Sequence, residues 1–584
     1  VIIIIVYDFE VLKFDWCVVW LDTETRKTYA IVNDVEKLFK FYEKYKNRIM
    51  VGYNSRSYDV WILKGILCGF DPYEITDWII NKHRKGFLFS RELNKFPLIN
   101  YDCSVGFRSL KELEAFQGHD IQESNIPFDI DRKLTDWEMK DLLKYCKHDV
   151  METFSVFIET QVDFESHMGL IKEYNLDLYY VNKTSTQLSA VILGASKITR
   201  DDEFEISTPD VLQLGKYDWV REWYMDWAKN ERNYETMELK TEVGGIPHVF
   251  GIGGIHGAVK NYMGEGDYLM ADVESYYPAL LIEFGYLSRN VSHPEKFREI
   301  RDERLILKEN NDPRQLPRKL VLNKASGGAK DKYNQLYDPL QSNNACVTGQ
   351  LLLVDLIDKL EGRCELIQSN TDGILIKLFD KKDRDEIINL SNEWCDRTGM
   401  KLKFDSVSKV IQRDVNNYII VFENGKIKRK GAVVKELSIL DNDLPIVNRA
   451  VVNYLTNNIP VISTINASMR MIDFQKITKI TSKYEYGFKE DARGKEQFTD
   501  SNGKLYIGSY RREKVHRCFA SSDSNDGAFY KKKKTKGGLD KTASTPIQCK
   551  IVNSDITEMK IPQWLDRKWY CELAEKRIKE FLGD

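Results

Sequence analysis

The chain opens on β-branched residues, Val1–Val6, that run without a polar break into Tyr7, Asp8, Phe9 and Glu10. An apolar run of that kind predicts a buried strand at the front of the first domain, whose last residues leave the core. Residues two apart on a strand share a face, so Asp8 and Glu10 can grip one cation together. Further on, Asn54, Tyr58 and Asp59 fall in V-G-Y-N-S-R-S-Y-D, a turn predicted to open a helix. In L-L-K-Y-C-K-H-D-V, Tyr145 precedes Asp149 by one helical turn, so both lie on one face. Lys111, in S-L-K-E-L-E, reads as a solvated helix lysine.

Further along, the theme of a strand ending in acid returns. Asp267–Asp272 (D-Y-L-M-A-D) predicts a strand, and V-E-S-Y-Y-P-A-L-L-I-E-F a turn and a helix. In C-E-L-I-Q-S-N-T-D-G-I-L-I-K, apolar runs flank Asn370 to Gly373, and Asp-Gly there predicts a hairpin. Between these lies a predicted helical pair. Ser292 and Glu295 stand at capping-box spacing, and Arg301, Arg304 and Lys308 form one basic stripe. After the break N-N-D-P, Lys319, Asn323 and Gly327 share a face of the second helix. The stretch Gly244 to Ala258 is glycine-dense, without the G-K-S/T of a nucleotide-binding P-loop. R-K-W-Y-C-E-L-A-E-K-R-I-K-E-F predicts an amphipathic helix near the end.

Composition adds limits. With 584 residues, 42% hydrophobic and 30% charged, the chain reads as ordinary globular protein. At about 100–200 residues per domain it holds three to five domains. The apolar run at the start is too short to span a bilayer and lacks the flank of a signal peptide. Ten scattered cysteines without C-x-x-C predict neither disulfides nor structural zinc, as expected in a reducing cytoplasm. A net charge of −3 does not advertise nucleic-acid binding, but acidic metal sites and basic grooves can cancel in the total. Ser521 to Lys541 reads as a flexible low-complexity loop, with the run Lys531–Lys534 a solvated patch.

Taken together the motifs resemble those of family B DNA polymerases. D-x-E, N-x3-Y-D and Y-x3-D are similar to the three motifs of RNase H-like 3′→5′ proofreading exonucleases. That resemblance implies metal positions at Asp8, Glu10, Asp59 and Asp149, a water-orienting Tyr145, and DNA contacts from Asn54 and Tyr58. D-V-E-S-Y-Y-P looks like the first palm motif and N-T-D-G like the second, which implies metal positions at Asp272, Val273 and Asp372. Tyr277 takes the place of a wall against a ribose 2′-OH. K-L-V-L-N-K-A-S-G-G resembles the fingers motif and implies that Lys319 acts on the triphosphate. Ser275, Tyr276, Tyr277, Arg304, Lys308 and Asn323 would complete the dNTP site. The glycine-dense stretch resembles the linker from exonuclease to palm, with Gly253 and Gly254 near the template. Tyr418, Lys428 and Lys430 match a hairpin that contacts the primer duplex. The chain departs from the family at Gln368, Asn370, Gly373, Lys324 and Ser326.

The resemblance therefore implies an α/β multidomain protein: exonuclease 1–165, helical connector 166–240, palm 241–291, fingers 292–345, palm 346–435, and thumb 436–584 by position only. It implies template-directed DNA synthesis with proofreading, two Mg2+ ions per active site (Mn2+ can substitute), and primer–template DNA and dNTPs as partners. The likeness is greatest to compact bacteriophage replicative polymerases, acting as monomers in the bacterial cytoplasm with a helicase, clamp or single-strand binding protein. No room remains between Asp272 and Lys319 for a protein-priming insertion, so an ordinary primer is expected. The alternatives are a stand-alone 3′→5′ nuclease with a degenerate DNA-binding module, and a non-catalytic DNA-binding or primase-associated subunit.

Overall fold

The opening run forms β1 (Ile4–Val11), the central strand of a five-stranded mixed sheet in a computed structural model that describes residues 3–500, 503–534 and 538–583. Val1 and Ile2 of the predicted strand lie outside the described residues. The other strands are β2 (Trp16–Asp22), β3 (Lys27–Val32), β4 (Ile49–Gly52) and β5 (Asn100–Asp102), in the order β3-β2-β1-β4-β5. β1 runs antiparallel to β2 and parallel to β4. Both its faces are covered, which is why its apolar residues do not alternate with polar ones. Ile5, Tyr7 and Phe9 pack toward the helices Val35–Tyr45 and Asp59–Leu67. Ile4 and Val6 pack toward the helix Asp136–Glu159. That long helix starts at a capping box between Thr135 and Glu138, a device that stabilises a helix end by about 1 kcal/mol.

The second sheet has nine strands, all antiparallel: β6 (Leu239–Val243), β7 (Ile246–Phe250), β8 (His256–Ala258), β9 (Tyr262–Val273), β10 (Cys364–Asn370), β11 (Gly373–Leu378), β12 (Leu402–Asp414), β13 (Asn417–Phe422) and β14 (Ile427–Lys430). Their order is β14-β13-β12-β9-β11-β10-β8-β7-β6. The glycine-dense stretch is thus more than a linker. Gly244 and Gly245, both at positive φ, make the β6–β7 turn, and β7 and β8 belong to the sheet. Four helices, Tyr276–Glu283, Glu295–Glu309, Gln315–Lys330 and Pro339–Leu360, lie between β9 and β10. The middle two form the predicted hairpin, but without the predicted capping box. Helix Glu295–Glu309 begins after Pro294 with no side-chain cap, and the Ser292 hydroxyl donates instead to the Gly194 carbonyl at 3.3 Å.

The C-terminal part is richer in strands than its sequence indicates. β15 (Lys476–Lys479), β19 (Val515–Ala520) and β22 (Cys549–Ile551) form one sheet. β16 (Tyr484–Asp491), β17 (Glu496–Thr499), β18 (Leu505–Arg511), β20 (Asp526–Lys533) and β21 (Leu539–Lys541) form another. The expected flexible loop at 521–541 is therefore mostly a strand pair, and residues 535–537 lie outside the described residues. Lys531 to Lys533 alternate across β20. Lys531 lies over the Tyr484 ring, Lys532 over Phe498, and Lys533 pairs with Asp540. The predicted terminal helix forms as Arg567–Leu582, burying Tyr570, Ala574, Ile578 and Phe581 at helical spacing. All ten cysteines are free, and among the described residues no helix is long and apolar enough to cross a membrane.

Two candidate carboxylate centres

Asp8 and Glu10 leave β1 on the face that meets the helix Asp136–Glu159, and that helix delivers Asp149 to them. Oxygens of Asp8, Glu10 and Asp149 lie within 4.8 Å of one another. Asp59, at the start of its own helix, closes the group by accepting the Phe9 backbone N–H at 3.0 Å. Burial and then mutual repulsion hold the Asp8 and Glu10 carboxyls well above the ordinary range. Burial likewise pushes Asp59 up to about 7 and Asp149 up to about 6, the latter moderated by Lys111. Hard oxygen donors crowded this closely, with too little cationic charge beside them, have the chemistry of a divalent metal site.

Lys111 is not the solvated lysine that its sequence context predicts. It is buried, ion-paired with Asp149 and, at 2.9 Å, with Glu114, and its ammonium lies 4.7 Å from the centre of the Tyr145 ring. Burial opposes its charge, but the two carboxylates outweigh that and hold its pKa above the ordinary value. Tyr145 itself is raised by burial and then by Asp149, Glu10 and Asp8, which places its ring among those carboxylates. Beside the group opens a cavity of about 570 Å3 lined by Asn54, Tyr58, Tyr73, Phe128 and Asp129 together with Asp8, Glu10 and Asp59. Asn54 adopts positive φ (53°), held by its N–H to Asp102 Oδ1, and the Tyr58 hydroxyl is bonded to Thr76.

The second centre lies on the nine-stranded sheet. The β10–β11 hairpin pairs Asn370 with Gly373, and β9 lies against β11 with Asp272 opposite Gly373. The Val273 N–H donates to the Asp372 carbonyl at 2.7 Å, so the two aspartates stand side by side at neighbouring strand ends. Gly373 is what permits this. A Cβ there would come within 2.4 Å of Asp272 Oδ1 and 2.5 Å of the Ala271 carbonyl. Asn370 turns the hairpin, its Oδ1 accepting the Thr371 N–H at 2.9 Å. Burial raises the Asp272 pKa, opposed by Lys428, whose Nζ is 3.9 Å from Asp272 Oδ2. Asp405 and Lys403, on β12 beside β9, also act on Asp272, and neither carries a sequence signal.

Around Asp272 the predicted residues divide. Ser275 sits at φ 51, a strained conformation for a serine, and its Oγ accepts from Arg304 at 2.9 Å. Arg304 is buried, and that burial lowers its pKa. The Tyr277 hydroxyl donates to the Gly253 carbonyl at 3.4 Å, joining the turn after β9 to the glycine segment. Gly254 packs on the hairpin, since a Cβ there would meet the Thr371 side chain at 2.5 Å. Tyr276 and Tyr418 are core residues. The Tyr276 hydroxyl donates to the Gly349 carbonyl, and Tyr418 is 3% exposed beneath Asp272 and Asp372. Lys428 and Lys430 lie on β14, and Lys308 is exposed. Lys319 and Asn323 are exposed and line a cavity of about 540 Å3 with Lys324, Arg56, Lys183 and His167. Neither Asp272 nor Asp372 lines it.

No protein-family model matches the chain, and no curated protein matches it. Among solved structures it is similar to the family B DNA polymerase of the hyperthermophilic archaeon Pyrobaculum calidifontis. The two share 11% identity at a TM-score of 0.40, over 100% of this chain and 78% of that one.

Proposed function

We propose that the chain is a DNA-directed DNA polymerase of the family B type with a 3′→5′ proofreading exonuclease. The observation that carries this proposal is the presence of two separate carboxylate centres, one on each large sheet, in the order that the motifs imply. The Asp272–Asp372 pair, with Arg304 and Ser275 beside it, is the polymerising centre. The Asp8, Glu10, Asp59 and Asp149 group, with its adjoining cavity, is the exonuclease. Both fit Mg2+, a hard cation that takes oxygen ligands. When bound, two such ions supply charge neutralisation at a phosphate and an acidified oxygen nucleophile.

The chain's own residues do the rest. Asp272 and Asp372 define where a primer 3′-OH and a triphosphate must meet. Arg304 holds the Ser275 turn and offers positive charge beside it. Tyr277, fixed by its bond to Gly253, stands as the wall that a 2′-OH would strike. Lys319 and Asn323 reach a triphosphate through movement of the helical hairpin that carries them. In the exonuclease, Asn54 and Tyr58 line the way in for a frayed 3′ end, and Tyr145 orients the attacking water. Genome replication in a bacteriophage, as a monomer, is the setting that we propose.

The test is a primer–template assay with and without dNTPs. Extension with them and 3′ degradation without them is the expected result. Degradation alone would select the nuclease alternative, and a mobility shift without turnover the binding-module alternative.

A further inference from the structure

The short helix Leu110–Gln117 presents Lys111 and Glu114 to the first carboxylate centre, yet much of what fixes its far end comes from more than 300 residues away in the chain. A helix leaves its last carbonyls without helical partners. Here Gly118, at φ 85, returns an N–H to Ala115, and His119 returns one to Glu114. The C-terminal part supplies further donors. Arg517, fully buried on β19, donates to the Ala115 carbonyl at 3.1 Å and to the His119 carbonyl at 2.8 Å. Its other N–H groups reach Gln475 Oε1 and the Val552 and Ser554 carbonyls, so all three nitrogens of the guanidinium are engaged. Gln475 donates to the Phe116 carbonyl at 2.9 Å, and the Ile556 N–H to the Gly118 carbonyl at 2.9 Å. At the other end of the helix, Lys479 pairs with Glu112, half of the Ser109 capping box. Leu113, Ala115 and Phe116 share a core with Leu440, Ile477 and Val515.

This bracing acts on the side chain nearest the chemistry. Lys111 is the cation that touches Asp149 and covers Tyr145. A small rotation or slide of an eight-residue helix would move its ammonium away from both. A buried cationic fork at the helix C-terminus, where the helix dipole favours positive charge, resists that movement.

We infer that Arg517 is a positioning residue of the exonuclease, fixing the helix that holds Lys111 against Asp149 and Tyr145, so that this centre is complete only with the C-terminal part docked. The inference rests on the exonuclease assignment made above.

The experiment is a double-mutant cycle on 3′ degradation of single-stranded DNA at saturating Mg2+, with primer extension measured in parallel. Arg517→Gln should slow degradation about 10-fold, the scale of an outer-shell loss at a metal site, with extension within about 2-fold of the parent. Lys111→Ala should slow degradation at least as much. The double variant should fall no further than Lys111→Ala alone, because both substitutions remove one interaction. Multiplicative losses, or unchanged degradation in Arg517→Gln, would overturn the inference. If Arg517→Gln does not fold, Lys479→Ala, on a part-exposed ion pair with the same helix, takes its place with a loss of about 3-fold and the same non-additivity. Absence of any degradation by the parent protein would instead refute the exonuclease assignment itself.

Discussion

The two carboxylate centres solve one electrostatic problem in opposite ways. In the first, Asp8, Glu10, Asp59 and Asp149 gather where Lys111 pairs with Asp149, and burial drives their pKa values upward. In the second, Asp272 and Asp372 stand side by side at the ends of central strands, with Asp405 nearby and Lys428 and Lys403 offsetting part of the charge on Asp272. Like charges gathered in a low-dielectric site cost free energy that only protons or cations relieve. On the proposed function, the first centre is built in advance to take metal, and the second is half-open and completed in part by its substrate. This suits the proposed tasks, since an exonuclease takes one frayed end into a fixed pocket, whereas a polymerase must admit a new nucleotide at every step.

The largest expected effect is the separation of the two activities. Asp372→Asn should lower extension by about 1,000-fold or more while 3′ degradation stays near normal, because several kcal/mol of transition-state stabilisation is lost at one centre only. Asp8→Asn with Glu10→Gln should do the reverse. Loss of both activities in either variant, with the circular dichroism unchanged, would show that the centres are not independent. Next in size is selectivity at the open centre. Tyr277→Val should weaken discrimination against ribonucleotides by about 10- to 100-fold, measured as the ratio of kcat/KM values, with deoxynucleotide use only modestly reduced. An unchanged ratio would reduce Tyr277 to a packing residue bonded to Gly253.

The lysines test the contrast through stability. Lys111→Met leaves Asp149 buried without its ion-pair partner and Glu114 to His148 at 3.5 Å, and should destabilise the metal-free protein by about 3 kcal/mol. Lys428→Met removes a part-exposed partner at 3.9 Å and should cost under about 1 kcal/mol. Urea unfolding followed by fluorescence measures both. Equal losses would mean that the two centres do not differ in the way their burial indicates.

What the sequence disclosed follows the same division. The apolar runs marked Asp8, Glu10 and Asp272 as acids at strand ends, and the Asp-Gly pair marked the hairpin that carries Asp372, because strand geometry is local. Lys111 was misjudged because its partner Asp149 lies on another helix, and a lysine followed by Glu112 and Glu114 has the look of a solvated face. Lys531 to Lys533 were misjudged because a charge run conceals the alternation of a strand whose neighbour, Tyr484, is distant in sequence. Arg517 gave no signal at all. A lone arginine in V-H-R-C-F-A reads as an interruption of an apolar strand, and its acceptors are backbone carbonyls that any residue could supply. Gly373 and Asn370, departures from the motif that the chain resembles, become intelligible only once β9 is seen to pass within contact of the hairpin.

The smallest expected effect has a definite sign. Aspartates of an unfolded chain titrate near pH 4, whereas burial pushes Asp59 up to about 7 and Asp149 up to about 6 in the folded protein. Between these limits the folded state binds more protons than the unfolded state. The stability that these groups contribute is therefore fully present below about pH 4 and is lost as pH rises through about 6 to 7. Divalent metal reverses the balance, since it binds the ionised carboxylates and displaces their protons. The rise in Tm produced by saturating Mg2+ should thus grow by about a few degrees between pH 5.5 and pH 8, as read by scanning fluorimetry. Asp59→Asn should reduce that growth in part, because it removes the group raised to about 7 and leaves Asp8, Glu10 and Asp149 raised. Asp372→Asn should leave it nearly intact, because the open centre holds fewer acids and has Lys428 beside Asp272. A Mg2+ increment that is independent of pH in the parent protein, or one that Asp372→Asn flattens instead, would place the metal-hungry centre on the wrong sheet.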